Sequence, residues 1–559
     1  METVSPKRPP TLPPSPGRTP NGEPGGAAPA TRKKLVGPRA FKLLWDAHSV
    51  TGVVLGLGLF VIFYCGAFAL YRAEIHVWAD PAFRTTEQTR QAQLSADAAV
   101  GEILRQRPPA RGADVMLVYP FAERPYYWLR YPTAAGDTVD SWVSATTGQA
   151  LPAEGRSHAS DVLYELHYFA QAGFLGRVLS GLAAVFLLFA VVSGLLIHLR
   201  KLPKDWHTFR PRGKLRDALA DAHTVLGLVG LPYTVMYAVT GAFFSLLIVI
   251  LGPTLLVVFD GDEAGLEAVL HGVEEPAHEP TGEDAVMLSP DALWAALPPV
   301  WQTTDPTVLF VHEWGDAAAI ASFEVGVDES VTKNGTAIVR AATGEVLAAS
   351  DPYNPTALGA VTTAMTTLHF ATFGGWLMTA LFFVLAIAAS AVILTGNVLW
   401  VLVRRPKDPR ATPTLHRLLA RLTVGVGVGL VAAVPVLFIA SRALPIELDG
   451  RVVWENAAFF GAWLALVAAA FAGPSPVWAA RWQLLLAGAL SAAVPVASGL
   501  LGGPWPWESA ASGWWAVFWV DVGFALAAPL LVWIARRLSP GAPQHEPPRP
   551  EAALSPRPA

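Results

Sequence analysis

One cysteine in 559 residues, Cys65, excludes an internal disulfide, an iron–sulfur cluster or a Cys-rich zinc site within the chain. Charge is also scarce. Only 15% of residues are charged, and a formal net charge of -4 carries no signature of nucleic-acid binding. No Gly-rich dinucleotide loop falls in a strand–helix setting, and no inner segment is large enough for a flavin domain. The first 38 residues are rich in Pro, Gly and Ser and include Arg32-Lys33-Lys34. They are too polar and too long for a signal-peptide n-region. They read as a disordered cytoplasmic tail at 1–38, and residues 538–559 read the same way.

What the chain has instead is apolar length. Hydrophobic residues make up 53% of it, and several runs exceed the ~18 residues that mark a membrane span. Eight spans are expected, near 47–71, 177–199, 222–251, 368–403, 418–440, 455–472, 482–501 and 514–535. Residues 200–216 carry seven Lys and Arg, residues 404–421 carry six, and Arg536 and Arg537 close the last span. These basic stretches fall on one side with the N-terminal tail, so both termini are expected in the cytoplasm. Two long insertions then face outward. Residues 75–160 hold nine acids and eight Arg, whereas 255–355 hold eighteen acids against Lys333 and Arg340. Each contains a β-type run such as Tyr126–Tyr131 and ends on a Thr-Gly pair, Thr147-Gly148 or Thr343-Gly344, read as a hairpin turn. Each is expected to be a small α+β domain with a few antiparallel strands.

The chain writes one phrase twice. Asp46-Ala47-His48 with Gly52 returns 175 residues later as Asp221-Ala222-His223 with Gly227, and the same offset carries Gly66 onto Gly241. Eighteen residues are five turns at ~3.6 per turn, so Gly66 is expected on the face of His48 and Gly241 on that of His223. Such a smooth face suits a flat group held by the histidine. After the insertions, Leu166-His167-Tyr168 returns as Leu368-His369-Phe370. Gly173 and Gly375 follow six residues on, Gly194 and Gly396 twenty-seven residues on. A helix–outer domain–helix unit therefore occurs twice in one orientation, with an axis along the membrane normal expected between the copies.

Taken singly, a histidine at the end of a span merely meets water and headgroups. In matched pairs they ask for more. The repeat puts His48 opposite His223 at one depth and His167 opposite His369 near the other surface. Opposed imidazoles in an apolar bundle suit axial ligation of haem iron. Zinc prefers four closed N, S or O ligands, which two lone histidines per level fit less well. Two haems, one near each face, would form an electron path across the membrane. Asp46 and Asp221 are candidate acceptors behind their histidines, although acids at a helix N-terminus are the simpler reading. His198 has Trp400 at its matching place and is a candidate for a replacement ligand on the inner side or a propionate contact. Arg177 is a candidate for a haem propionate, or snorkels. His207 and His416 rank lower. His167 lies ten residues before the apolar run, so at ~1.5 Å per residue the outer site is expected roughly 15 Å beyond the core edge.

These motifs resemble the PepSY-associated transmembrane family of bacterial inner-membrane proteins. The carrying residues are Asp221-Ala222-His223 with Gly227, Ser193-Gly194-Leu195-Leu196-Ile197-His198, Thr208-Phe209-Arg210-Pro211, and the His167 and His369 phrases. The resemblance covers about residues 40–405. It implies iron uptake, in some members haem-dependent reduction of ferric siderophores, with periplasmic PepSY-like outer domains. The expected fold is thus an all-α polytopic membrane protein with a duplicated helix–PepSY–helix unit forming a four-helix core. Its segments are span one at 39–74, outer domain one at 75–160, span two at 161–200, a basic loop at 201–216, span three at 217–254, outer domain two at 255–355, span four at 356–403 and a four-span extension at 404–537. The expected function is that of a haem b protein of the inner membrane, with two haems held by His48/His223 and His167/His369. It takes electrons from an unidentified donor, such as quinol or a separate reductase, and passes them to a periplasmic ferric siderophore or ferric iron. The acidic second domain either attracts cationic complexes or is plain solvated surface. The rivals are a non-enzymatic regulator of a peptidase or ligand sensor, and an iron-complex transporter, for which Asp521 is the nearest intramembrane acid.

Overall fold

The computed structural model describes residues 37–84, 93–121, 125–151, 157–199, 210, 214–274, 276, 279–327, 330–404 and 413–538. The tails expected at 1–38 and 538–559 and the basic loop at 201–216 fall almost wholly outside the described residues. The helices of the described residues include α1 (Pro38–Ala69), α2 (Arg72–Ala79), α3 (Ala159–His167), α4 (Gly173–His198), α5 (Leu215–Val229), α6 (Leu231–Val258), α7 (Ala357–Phe370), α8 (Gly375–Val403), α9 (Thr414–Leu422), α10 (Gly429–Ala443), α11 (Arg451–Ala472), α12 (Pro476–Leu500) and α13 (Trp515–Arg537). Eight segments are long and apolar enough to cross a membrane; they hold α1, α4, α6, α8, α9–α10, α11, α12 and α13. The chain is a multi-pass membrane protein. Its spans leave large apolar side chains uncovered, among them Leu182, Phe186 and Phe189 of α4 and Leu526, Leu530 and Trp533 of α13. Lipid, unlike water, accepts these surfaces without penalty.

Two expected continuous spans are divided. The apolar run at 222–251 breaks at Gly230, where Pro232, lacking an N–H, cannot donate to the Leu228 carbonyl as a continuous helix would require. His223 therefore sits on α5, ahead of the span proper. The run at 368–403 breaks between α7 and α8, where Ala371, Gly374 and Gly375 have φ of 54°, 68° and 59°. In the first half, Phe169 and Gly173 do the same between α3 and α4, with φ of 57° and 58°. His167 and His369 thus each lie at the end of a short helix that turns back before its span.

The two insertions are not two separate domains. Their strands form one antiparallel sheet of eight, in the order β4-β3-β2-β1-β5-β6-β7-β8. These are β1 (Val115–Val118), β2 (Tyr126–Pro132), β3 (Thr138–Ser144), β4 (Ala150–Leu151), β5 (Asp305–His312), β6 (Ile320–Gly326), β7 (Asn334–Arg340) and β8 (Val346–Ala349). β1 of the first insertion pairs with β5 of the second, from Val115 opposite Val311 to Val118 opposite Val308. Alone, each insertion would leave its first strand as an unpaired edge, and joining the edges satisfies both rows of backbone donors and acceptors. The sheet is covered on one face by short helices at Ala96–Gln106 and Pro290–Ala295, over a core that includes Val100, Leu129, Trp301 and Phe323. Gly148 and Gly344, with φ of 67° and 77°, make the two Thr-Gly hairpins.

The last four spans pack against the first half. α10 is the most enclosed of them, and its Leu430, Val434 and Phe438 share a core with Phe60, Val61 and Cys65 of α1 and Trp78 of α2. Between α9 and α10, Thr423–Val428 is a π-helical turn. Gly425 and Gly427 let it approach Val467 and Leu394, and the Trp463 indole donates to the Val426 carbonyl at 3.1 Å.

Candidate functional site: two histidine pairs

His48 on α1 and His223 on α5 face each other with ring centroids 6.3 Å apart and planes at 79°. Each ring is bound through Nδ1. His48 donates to the Ala190 carbonyl at 2.9 Å and His223 to the Val392 carbonyl at 2.8 Å. A carbonyl only accepts, so Nδ1 carries the proton and Nε2 keeps its lone pair. The hydroxyls of Ser193 and Thr395 lie behind these bonds, 3.3 Å and 3.4 Å from Nδ1. Their own hydrogens go to backbone carbonyls of their helices, so they too accept from the rings. A Cβ on Gly194 would lie 3.1 Å from Cε1 of His48, and one on Gly396 3.0 Å from Cε1 of His223. These two glycines, not Gly66 and Gly241, provide the smooth backbone beside the first pair.

His167 at the end of α3 and His369 near the end of α7 form the second pair, with centroids 6.0 Å apart and planes at 45°. His167 Nδ1 donates to the Ile62 carbonyl at 2.7 Å. His369 Nδ1 lies 2.9 Å from Thr240 Oγ1, whose own hydrogen goes to the Met236 carbonyl, so the ring is again the donor. The Tyr237 hydroxyl donates to the His369 carbonyl at 2.9 Å. Gly66 belongs here: a Cβ on it would meet His167 Nδ1 at 2.6 Å. The expectation that His167 stands about 15 Å clear of the apolar core is therefore wrong. α3 folds back, and its last residue reaches a carbonyl seven residues inside the end of α1. A cavity of about 240 Å³ opens around the pair, lined by Phe63, Tyr233, Tyr237 and Phe244 among others, with Arg177 and Tyr164 also on its wall. Arg177 lies over the Tyr168 ring at 5.5 Å.

Both pairs fit an iron held between two imidazoles. Two metal–nitrogen bonds of ~2 Å each, with the half-widths of two rings, give a centroid separation of about 6 Å. The Nδ1–H bonds to carbonyls and hydroxyls are those that fix the tautomer of a metal-binding histidine. No described residue hydrogen-bonds any of the four Nε2 atoms. Among the described residues there is also no cluster of three or more His, Cys, Asp or Glu placed to hold a metal ion. His198, at the end of α4, lies near enough to His48 and His223 to act on both electrostatically. His416 is a buried structural residue, donating from Nε2 to the Val401 carbonyl at 2.8 Å. His207 lies outside the described residues. Asp221 does not support His223. It accepts from the Arg210 backbone and guanidinium at 2.8–2.9 Å, which hold its carboxyl below the ordinary range. Sequence reasoning missed the acceptors themselves. The one available signal was the offset of 202 that pairs Ser193 with Thr395 beside the matched glycines.

α3 carries its own ion pairs outside the spans. Arg72 donates to Asp161 at 2.6–2.9 Å, and His158 lies 3.3 Å from the same carboxylate. Burial works to raise Asp161, but these partners win and hold it down at about 2. The bond to Asp161 raises His158. A depressed acid stabilises the fold above its unfolded pKa near ~4 and loses that contribution as pH falls towards ~2; here it amounts to about 2 kcal/mol. A raised histidine contributes fully below ~6.5 and loses its contribution as pH rises through its folded value. Thermal unfolding followed against pH is expected to show a plateau between these limits. Asp161→Asn should lower the plateau and flatten both flanks.

A bundle of apolar spans that carries two opposed histidine pairs, with one sheet outside the spans, defines a multi-pass membrane protein. Residues 45–402 match the PepSY-associated TM region, and the chain belongs to that family. It is 30% identical over 354 residues to an uncharacterized protein of Pseudomonas aeruginosa, across 61% of this chain and 86% of the relative. The matched region ends at residue 402 and leaves the last four spans outside it.

Proposed function

We propose that the protein is a haem b reductase of the bacterial inner membrane that delivers electrons to a periplasmic ferric siderophore or ferric iron. The observation that carries the reading is the set of four half-buried imidazoles, each tied through Nδ1 and paired about 6 Å from its partner. Haem bound at each pair would supply a one-electron carrier. His48 and His223 would hold one group near the cytoplasmic side, and His167 and His369 the other near the outer side. Ala190, Val392, Ile62 and Thr240 fix the ring orientations. Phe63, Tyr233, Tyr237 and Phe244 keep water from the outer pair, and Arg177 offers a cation to a propionate. The matching bonds at offsets of 175 and 202 support a duplicated helix–PepSY–helix unit as the origin of the two halves. The basic loops support cytoplasmic termini and a periplasmic sheet. The electron donor is a separate molecule, and the ferric complex is the substrate.

The test is the visible spectrum of the purified protein, oxidised and then reduced with dithionite. A low-spin b-type spectrum that weakens by about half in His369→Ala supports two bis-histidine sites. Absence of haem after expression with ample haem supply sinks the reading.

A further inference from the structure

The four spans outside the family match reach the start of the helix that carries His167. α3 is a helix of nine residues with His167 at its far end, and its own N-cap residue, His158, makes no side-chain cap bond. The Ser157 hydroxyl accepts from the Ala159 N–H at 3.2 Å, and a further cap comes from elsewhere. The backbone N–H of His158 donates to Glu455 Oε2 on α11 at 2.6 Å. One residue earlier, the Ser157 hydroxyl lies 2.7 Å from that of Ser441 on α10, and the Ser157 N–H donates to Asp80 at 3.2 Å. Glu455 is wholly buried and is faced by Arg451 at 3.3 Å. A carboxylate at this point satisfies an orphan donor and favours the positive end of the helix.

The matching helix in the second half needs no such help. α7, which carries His369, is capped by its own Thr356, whose hydroxyl accepts from Gly359 N at 3.1 Å. One histidine of the outer pair is thus set by its local sequence. The other has a local cap from Ser157 and, in addition, contacts from two helices of the C-terminal spans.

We infer that Glu455 is the positioning residue for His167, and that the C-terminal four-span unit serves to hold α3 at the angle the outer pair requires. This rests on the reading of His167 and His369 as haem ligands. Glu455 touches neither the group nor its ligands. It acts through the helix axis, so its loss should alter the outer site and spare the inner one.

The experiment compares haem-loaded full-length wild type, Glu455→Ala and Glu455→Gln by redox titration and low-temperature EPR. The outer component is assigned as the one missing in His369→Ala. Glu455→Ala is expected to move the outer component's potential and g-values and to weaken its haem retention by about tenfold, as lost supporting bonds do at metal sites. Glu455→Gln keeps an acceptor and should restore the wild-type outer signal. The inner component stays unchanged in both and reports that the protein is folded. If Glu455→Ala does not assemble, Ser441→Ala, which removes only the Ser157 contact, is read by the same signals. An outer component identical to wild type in the assembled variant overturns the inference and leaves the reductase reading standing. A wild-type protein without haem overturns the reductase reading itself.

Discussion

On the proposal that the outer pair holds a haem, Gly66→Ala is expected to remove about half of the total haem, while Gly241→Ala leaves it in place. The two glycines occupy one position of the repeat, so sequence alone predicts equal effects. The structure separates them. A Cβ on Gly66 would lie 2.6 Å from Nδ1 and 2.7 Å from Cε1 of His167, inside any tolerable contact. The ring cannot step aside cheaply, because Nδ1 is pinned to the Ile62 carbonyl one turn away on the same helix. Moving it costs about 1–3 kcal/mol in overpacking, and more if the buried N–H loses its acceptor. At Gly241 the new methyl would meet only Ala184, at 3.6 Å, an ordinary contact. Haem per protein, read from the reduced spectrum of each variant, checks this. Equal loss in both variants would show that the glycines act through helix packing and not through His167.

Asp521→Ala should be the most destabilising single change in the C-terminal spans, by about 3–5 kcal/mol. The carboxylate is fully buried on α13 and accepts from the Trp78 indole at 2.9 Å. The Arg442 guanidinium lies over the Trp78 ring at 4.2 Å and donates to the Trp78 and Ala79 carbonyls, while Arg84 donates to the Trp78 carbonyl at 3.3 Å. Both cations act on Asp521 electrostatically. Removing it strands two enclosed guanidiniums with Asp80 as their remaining counter-charge. Asp521→Asn keeps the indole's acceptor and should cost less. Thermal unfolding in detergent distinguishes this from the transport reading, in which Asp521 binds cargo. A substrate-binding acid would be removable with full stability and lost uptake.

The sequence made the helical part of the fold legible, because lipid demands long apolar runs. The histidine pairs were legible too, since a repeated phrase survives where the surrounding helix has drifted. Depth was not. Counting 1.5 Å per residue assumes a straight helix, and the left-handed residues Phe169 and Ala371 reverse α3 and α7 so that His167 and His369 end beside α1 and α6. The glycines were misassigned for a related reason. Facing along one helix was visible, but Gly66 serves a histidine from a different helix. The fused sheet was hidden because strand pairing across nearly two hundred residues leaves no local mark. The trans cap on α3 was equally invisible, since nothing near His158 announces that its partner is Glu455.

The β1–β5 seam also bears on how the molecule can work. It staples the loop that leaves α1 to the loop that leaves α6, through four consecutive residue pairs from Val115–Val311 to Val118–Val308. A carrier that alternates its access must let its halves rock apart on one side. Here that movement would have to unzip the ladder at the centre of an eight-stranded sheet, with the buried Leu117 and Leu309 torn from their core. The seam joins the two halves outside the spans through backbone pairing. A solute carrier working by that movement would have to part the seam, whereas the electron path proposed above would leave it closed.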